Sequence, residues 1–508
     1  MRLSVWCTSL LAVAGLCQPP NPKPDYSFEN PYTRPAKPNG LAIEKPNMIM
    51  FMPDQLRYDA VGVFGNKFVK TPNIDAFAAE GTRFTNMFVQ ASVCSQSRTS
   101  MFTGQYNHVT GHRTLNNLLK PWEPNMFRSL KEDGYHNTTE LGVNEYGFLT
   151  NQTLPKFTAA FDYDEAMVRG ALHWLECPPK EPWVLFLPLL FPHCPFTAEE
   201  PFFSMYNRSE LPLPARKEDK TGFEPRFHRQ IRDQYGTDRA TDEVWREVKA
   251  TYYAMVSRVD WQFGRIVNKT KDLGLWDQTV TMFFTDHGEY LGDYGLIEKW
   301  PSGVSDSLVH EPLIIDGAGL PKGVVYEEMG EMVDLVPTVL QLGSIPETYA
   351  QYGVSLVDAI HTTTKGEVLP HKKYSFTEGG FLVSEEPLLE QSPFPYDIKA
   401  SLQHNDTSSV GKAISIRSKE WTYVYRLYEA DELYSRKGDD AQELHNLAER
   451  PEYQRVRATL REEVFKWLVE TADTIPWYED QRRPSVTLAN PHEQYVMREE
   501  KCDDCPPY

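Results

Sequence analysis

Four mostly apolar runs along the chain each end abruptly in polar residues. Met48-Ile49-Met50-Phe51-Met52 stops at Pro53-Asp54-Gln55, and Val184-Leu185-Phe186-Leu187 continues through Leu189-Leu190-Phe191 to Pro192-His193. Val280-Thr281-Met282-Phe283-Phe284 meets Thr285-Asp286-His287-Gly288-Glu289, and Leu313-Ile314-Ile315 meets Asp316-Gly317. Runs without alternation suit strands covered on both faces, as in a parallel sheet. Helical patterns lie between them. The clearest spans about Tyr252 to Lys271, with Tyr252, Val256, Val259, Phe263 and Ile266 on one stripe and Gly274 just beyond. Strands alternating with helices predict an α/β fold built on a large, mostly parallel sheet with helices on both faces. In such sheets ligands bind outside the C-terminal ends of the strands, so Asp54, Gln55, His193, Asp286 and His287 are expected on one rim.

From about residue 370 the pattern changes to period two. Tyr374-Ser375-Phe376, Ala413-Ile414-Ser415-Ile416 and Trp421-Thr422-Tyr423-Val424-Tyr425 read as antiparallel strands. An amphipathic helix follows from about Glu452 to Thr471, carrying Val456, Leu460, Val464, Trp467 and Leu468. The expected organisation is a signal peptide over 1–17, an extended lead-in rich in proline and asparagine over 18–46, a large catalytic domain over 47–370, and a smaller C-terminal antiparallel-sheet-plus-helix subdomain with a tail over 371–508. No internal repeat or low-complexity tract interrupts this order.

Composition narrows the function. A hydrophobic content of 41% over 508 residues marks a globular chain with room for more than one core. The net charge of −19 argues against nucleic acid and against wrapping a long polyanion. It leaves room for a small anionic substrate in a locally positive pocket. One positive charge and a short apolar run through Leu16-Cys17 read as a secretory signal, too short to span a membrane. No later apolar run approaches spanning length, so a secreted protein without membrane attachment is expected. Acceptor sequons at Asn137, Asn151, Asn207, Asn268 and Asn405 fit a secreted glycoprotein. Cys7 and Cys17 leave with the signal; Cys502 and Cys505 are placed for a small disulfide, and Cys177 and Cys194 are read either as a pair or as buried thiols.

The chemistry concentrates in Cys94-Ser95-Gln96-Ser97-Arg98 and the short helical run that follows to Gly104. Ser95 and Ser97 are good N-cap residues, Met101 and Phe102 are expected to face inward, and Gly104 makes a natural stop. A helix N-terminus offers unpaired N–H groups, and the Arg98 fork grips tetrahedral oxyanions. Asp54, Gln55, Asp286 and His287 bring two carboxylates, an amide oxygen and an imidazole. Hard oxygen donors in that proportion suit Ca²⁺, Mg²⁺ or Mn²⁺, and the histidine leaves room for Mn²⁺ or Zn²⁺.

Several spaced motifs in order resemble the sulfatases of the alkaline-phosphatase-like superfamily over nearly all of the mature sequence. Pro46-Asn47-Met48-Ile49 with Asp54-Gln55-Leu56-Arg57 is similar to the first metal strand, in an Asp-Gln variant shared with phosphonate monoesterases. Thr71-Pro72-Asn73-Ile74-Asp75 and Gly81-Thr82-Arg83-Phe84-Thr85-Asn86 resemble the segment before the nucleophile. The Cys94 run resembles the Cys-x-Pro-Ser-Arg signature, and Pro192-His193-Cys194-Pro195-Phe196 the Pro-His-x-Pro-Phe segment. Thr285 to Glu289, Leu291-Gly292-Asp293, Gly295-Leu296 and Lys299 resemble the second metal strand and its downstream lysine. Asp431-Glu432-Leu433-Tyr434 and Glu443-Leu444-His445-Asn446-Leu447-Ala448 resemble the C-terminal subdomain.

The resemblance implies a formylglycine made from Cys94 by a formylglycine-generating enzyme. One hydroxyl of its hydrate attacks sulfur, and the second then expels sulfate. Arg98 and Lys299 would hold sulfate oxygens, His193 would bind the sulfate or protonate the leaving oxygen, and Asp54, Gln55, Asp286 and His287 would bind one divalent cation, Ca²⁺ first. The implied substrate is a small sulfate ester or a terminal sulfated sugar. Two departures stand out. Gln96 occupies the Pro or Ala position of the signature, and Gly142-Val143-Asn144-Glu145 replaces a Gly-Lys-x-His that touches the sulfate. His108, His112 and Arg113 are candidates for replacing that lost charge. A phosphonate or phosphate ester hydrolase on the same fold, and a non-catalytic binding protein, are the alternatives. Loops 107–120, 200–245 and 380–410 are where substrate choice is expected to lie.

Overall fold

The computed structural model describes residues 33–114, 116–120, 122–137, 162–180, 182–363, 367–392, 396–438 and 442–473. The central strand β1, Asn47–Pro53, is buried along its whole length. With β2 (Thr82–Phe84), β4 (His136–Asn137), β5 (Trp183–Leu189), β6 (Thr279–Phe284), β7 (Leu313–Gly317) and β8 (Val324–Tyr326) it forms a seven-stranded sheet in the order β4-β5-β1-β6-β7-β2-β8. Successive residues of a strand face opposite sides, so β1 feeds two cores. Met48, Met50 and Met52 join Met282 and Phe284 on one face. Ile49 and Phe51 join Leu185, Leu187 and Phe283 on the other. That double burial is why the run shows no polar alternation.

The sheet is mostly parallel, with one exception among its described strands. β7 runs antiparallel to both β6 and β2. Asp316-Gly317 therefore lies at the end of the sheet away from Asp54, and the residues preceding β7, including buried Glu311, come to the functional rim instead. A buried apolar run reads the same in either direction, so periodicity alone could not reveal the reversal.

The long helix expected from Tyr252 begins ten residues earlier, at Asp242, and ends at Asp272. Its first turns are too polar for an apolar stripe, but Asp242 and Glu243 complement the positive end of the dipole, and Lys269 and Lys271 the negative end. Phe263 meets the rings of Phe51, Phe77 and Phe283 at centroid distances of 5.1, 5.0 and 5.1 Å. Truncating such a residue to alanine costs roughly 3–5 kcal/mol.

A two-stranded sheet pairs β3 (Met87–Phe88) with β9 (Gly330–Glu331). The C-terminal part is an antiparallel sheet ordered β10-β11-β12-β13, from Ser375–Gly379, Ala413–Arg417, Trp421–Arg426 and Glu432–Ser435. The helix Gln454–Thr471 covers it through Leu460 and Val464, and Trp467 stacks on Phe376 at 4.7 Å. Arg417 ties this sheet to the main body by donating from Nε to Asp306 Oδ1 at 2.7 Å.

Cys177 and Cys194 are both free; Cys177 is exposed rather than buried. Asn207, Asn268 and Asn405 are exposed. No helix among the described residues is long and apolar enough to cross a membrane. The expectations for the signal segment, Asn151, the 142–145 segment, Cys502 and Cys505 lie outside the described residues.

Candidate active site

Cys94 opens the helix Cys94–Thr103, which stops at Gly104 in the left-handed region, φ 71°. Met101 and Phe102 are buried, as their positions predict. The capping differs from expectation. Val93 occupies the N-cap position without a side-chain cap, and Ser97 lies inside the helix, where its hydroxyl donates to Asp286 O at 2.6 Å. That bond fastens the helix that begins at Cys94 to the end of β6.

Around Cys94 the strand ends converge. Its sulfur lies 3.0 Å from His287 Nε2 and 3.7 Å from Asp54 Oδ1. Ligand atoms of Asp54, Cys94, Asp286 and His287 all fall within 4.8 Å of one another. His287 Nδ1 donates to Gly288 O at 2.9 Å, which leaves Nε2 free to coordinate. Burial lowers its pKa and keeps the ring neutral, the form a cation needs.

Arg98 was expected to grip sulfate. In the structure its Nε donates to Asp286 Oδ2 and its Nη2 to Asp54 Oδ2, both at 2.7 Å. It holds the carboxylate pair together, and that is its immediate task. Burial and the neighbouring Asp286 push the Asp54 pKa up, against the pull of Arg98. Asp286 goes the other way. Burial raises it, but Arg98 and His287 outweigh burial and bring it down to about 2.

Gln55 follows with φ 66°, a strained conformation for a side-chain-bearing residue. Tyr252 OH donates to its carbonyl oxygen at 2.6 Å, and its own N–H donates to Asp286 Oδ1 at 3.2 Å. Its side-chain oxygen accepts from Lys299 Nζ at 2.5 Å, and its Nε2 donates to Glu289. Lys299 also contacts His193 Nε2. Burial alone would lower the Lys299 pKa, but Cys94, Glu298 and Asp54 hold it well above the usual lysine value. His193 sits on the turn after β5, where the Asp164 carboxylate accepts N–H bonds from Leu190 and Phe191 at 2.8 Å each. Its Nδ1 donates to Cys194 O at 2.5 Å, and burial with the Lys299 charge lowers its pKa.

The eight residues singled out from the sequence thus form one cluster. The candidates for compensating charge are engaged elsewhere. His108 bonds Glu378 at 2.8 Å and Thr471 at 2.7 Å. His112 bonds Asn117 O at 2.5 Å and Glu123 at 3.0 Å, and Arg113 pairs with Glu385. All three side chains are occupied by carboxylates of neighbouring loops and strands. Sequence reasoning missed Glu298, Lys399, Tyr396 and Cys194, which surround Lys299 and His193. Lys399 donates to Glu298 at 3.0 Å, the Cys194 thiol bonds Glu298, and Tyr396 OH lies 3.4 Å from His193 Nδ1. Lys399 lies in the helix Asp397–Asn405, about a hundred residues downstream, and Tyr396 caps its start; nothing in that short stretch singled either out.

A half-buried cysteine flanked by paired carboxylates, a neutral imidazole and a fixed ammonium is a site suited to the hydrolysis of anionic esters. Residues 46–345 match the Sulfatase family, and the chain belongs to that family of sulfuric ester hydrolases. It is 25% identical over 385 residues to Arylsulfatase K of Danio rerio, covering 67% of this chain and 72% of that one. The fold is similar to the phosphonate monoester hydrolase of Agrobacterium radiobacter, with TM-score 0.67, 22% identity, 84% of this chain and 96% of that chain. A protein solved with its substrate D-glucosamine-2-N,6-O-disulfate matches with TM-score 0.67, 17% identity, 86% of this chain and 100% of that one.

Proposed function

We propose that the protein is a secreted, cation-dependent sulfatase. It would act on a small sulfate ester or a terminal sulfated sugar through a formylglycine that a modifying enzyme makes from Cys94. The observation that carries this reading is the placement of Cys94, 3.0 Å from His287 Nε2 at a helix start, above an Asp54–Asp286 pair that Arg98 bridges.

The donor set fits a divalent cation. Burial first and the neighbouring Asp286 carboxylate second raise Asp54, and Arg98 bonds Oδ2 of each carboxylate. Asp54, Asp286, His287 and the Gln55 side-chain oxygen would hold the ion, with Ca²⁺ favoured by the oxygen-rich set. Such an ion supplies positive charge to the nucleophile and to a sulfate oxygen. Oxidised to formylglycine, Cys94 supplies an aldehyde hydrate, with one hydroxyl for attack on sulfur and a second for releasing sulfate.

The remaining groups set the charge and the proton. Lys299, charged and fixed by Gln55, places an ammonium where a sulfate oxygen gains charge. Neutral His193 holds its Nδ1 proton on Cys194 O, so the proton offered to a leaving oxygen lies between Lys299 Nζ and His193 Nε2. Turnover of one aryl sulfate beside its phosphate and phosphonate counterparts tests the reading. Preference for the sulfate supports it; preference for the phosphonate overturns it. The phosphonate reading is the second one, favoured by the amide at Gln55 and by the fold likeness to a phosphonate monoester hydrolase.

A further inference from the structure

Glu289 is fully buried and has no part in the chemistry above, yet it bonds one of its components, Gln55, and the backbone of the residue before another, Lys299. Its Oε2 accepts from Gln55 Nε2, and its Oε1 accepts from Leu291 N at 3.0 Å and from Glu298 N. Glu298 directly precedes Lys299, and Lys299 Nζ donates back to Gln55 Oε1. The loop of bonds has one consistent polarity. A lysine ammonium and backbone N–H groups only donate, and an amide has one accepting end and one donating end. Lys299 therefore demands the Gln55 oxygen, Gln55 must turn its nitrogen to Glu289, and Glu289 must accept at both oxygens. The backbone of Gln55 is independently fixed by Tyr252 and Asp286, so only the amide orientation is left to settle.

We infer that Glu289 is a positioning residue that locks the Gln55 amide with its oxygen toward Lys299 and the carboxylate pair. The use of that oxygen as a cation ligand rests on the cation reading above; the polarity of the bond loop does not.

Exchanging the two residues tests this. Glu289→Gln puts a donor against a donor in every arrangement. Either the new amide nitrogen at position 289 faces Leu291 N and Glu298 N, or it faces Gln55, which must flip its own nitrogen onto Lys299. The double variant Gln55→Glu with Glu289→Gln keeps the net charge and satisfies every partner, with the polarity of the 55–289 bond reversed. Thermal midpoints of the chelated proteins and calcium affinity by calorimetry need no turnover. Glu289→Gln is expected to lower the midpoint and to weaken calcium binding roughly 10–100-fold. The double variant is expected to regain both. Failure of the single variant to fold while the double variant folds also supports the coupling. An unchanged single variant overturns the inference, as does a double variant no better than the single, including failure of both to fold. Should the native protein bind no calcium, the cation reading falls, and the midpoints alone still decide the role of Glu289.

Discussion

Asp54 and Asp334 are both buried aspartates beside cations, and their pKa values move in opposite directions. Asp334 Oδ1 accepts from Val354 N at 2.8 Å and lies 2.7 Å from Lys372 Nζ; its Oδ2 accepts from Glu331 N and His371 Nε2, each at 2.9 Å. Burial alone would raise its pKa, but Lys372 and His371 hold it well below the usual range. Glu331 is equally saturated, by Phe376 N, Tyr106 OH and Lys372. This cluster is closed, and it fastens segment 371–376 to the main body. Asp54 has Arg98 on one oxygen; on the other, among the described residues, it has only a thiol at 3.7 Å and an imidazole at 3.5 Å. Its acceptor capacity is unmet beside a second carboxylate, and its pKa is raised. Buried charge alone does not mark function. Buried charge with a missing counterpart does.

The sharpest separation is between activity and stability at the two clusters. Cys94→Ala is expected to reduce sulfate-ester turnover by a factor on the order of 1,000 or more, with a thermal midpoint close to the native one, because the proposed nucleophile is removed while packing persists. Assay and melting curve on one preparation check this. Lys372→Met should do the reverse. Stranding Asp334 and Glu331 without their cation costs about 3–5 kcal/mol, read by urea unfolding, with calcium affinity intact in the folded fraction.

Calcium removal sharpens the contrast further. If the proposed site takes calcium, the ion at a hundredfold above its dissociation constant should stabilise the native protein by about 2.7 kcal/mol, and chelation should take that away. In Asp54→Asn the like-charge repulsion is relieved, so the chelated variant should be at least as stable as the chelated native protein and should gain little from calcium. A destabilised Asp54→Asn would place Asp54 with Asp334 among the closed groups.

The smallest effect concerns His228, a closed histidine whose pKa burial lowers to about 4, against the pull of Glu224. The unfolded chain takes up the proton near pH 6.5 and the folded chain near 4. Its contribution to stability is therefore complete above pH 6.5 and is lost as the pH falls towards 4. The native protein should lose up to about 1.4 kcal/mol per pH unit in that window relative to His228→Asn. Paired unfolding curves at several pH values check it.

Much of this was legible before the structure. The rim was readable because β1, β5 and β6 each run from a buried apolar stretch directly into Asp or His, and a parallel sheet brings such ends together. The reversal of β7 was not, since burial erases direction from an apolar run. The carboxylate-bridging role of Arg98 depends on where two strands separated by more than two hundred residues end, so a helix signature could not show it. Gln55 was recognised as a candidate ligand, but its left-handed backbone and the Glu289 bond that orients it exist only in three dimensions. Lys399 and Tyr396 reach the site from the short helix Asp397–Asn405 and its N-cap, and only the tertiary fold brings that helix to Glu298 and His193.

The most direct test is mass spectrometry of the tryptic peptide Phe84–Arg98 from protein purified from its natural source. An aldehyde or its hydrate at Cys94 is the predicted result, and it would show that the modifying enzyme tolerates Gln96. An intact thiol in protein that turns over sulfate esters would contradict the proposed nucleophile.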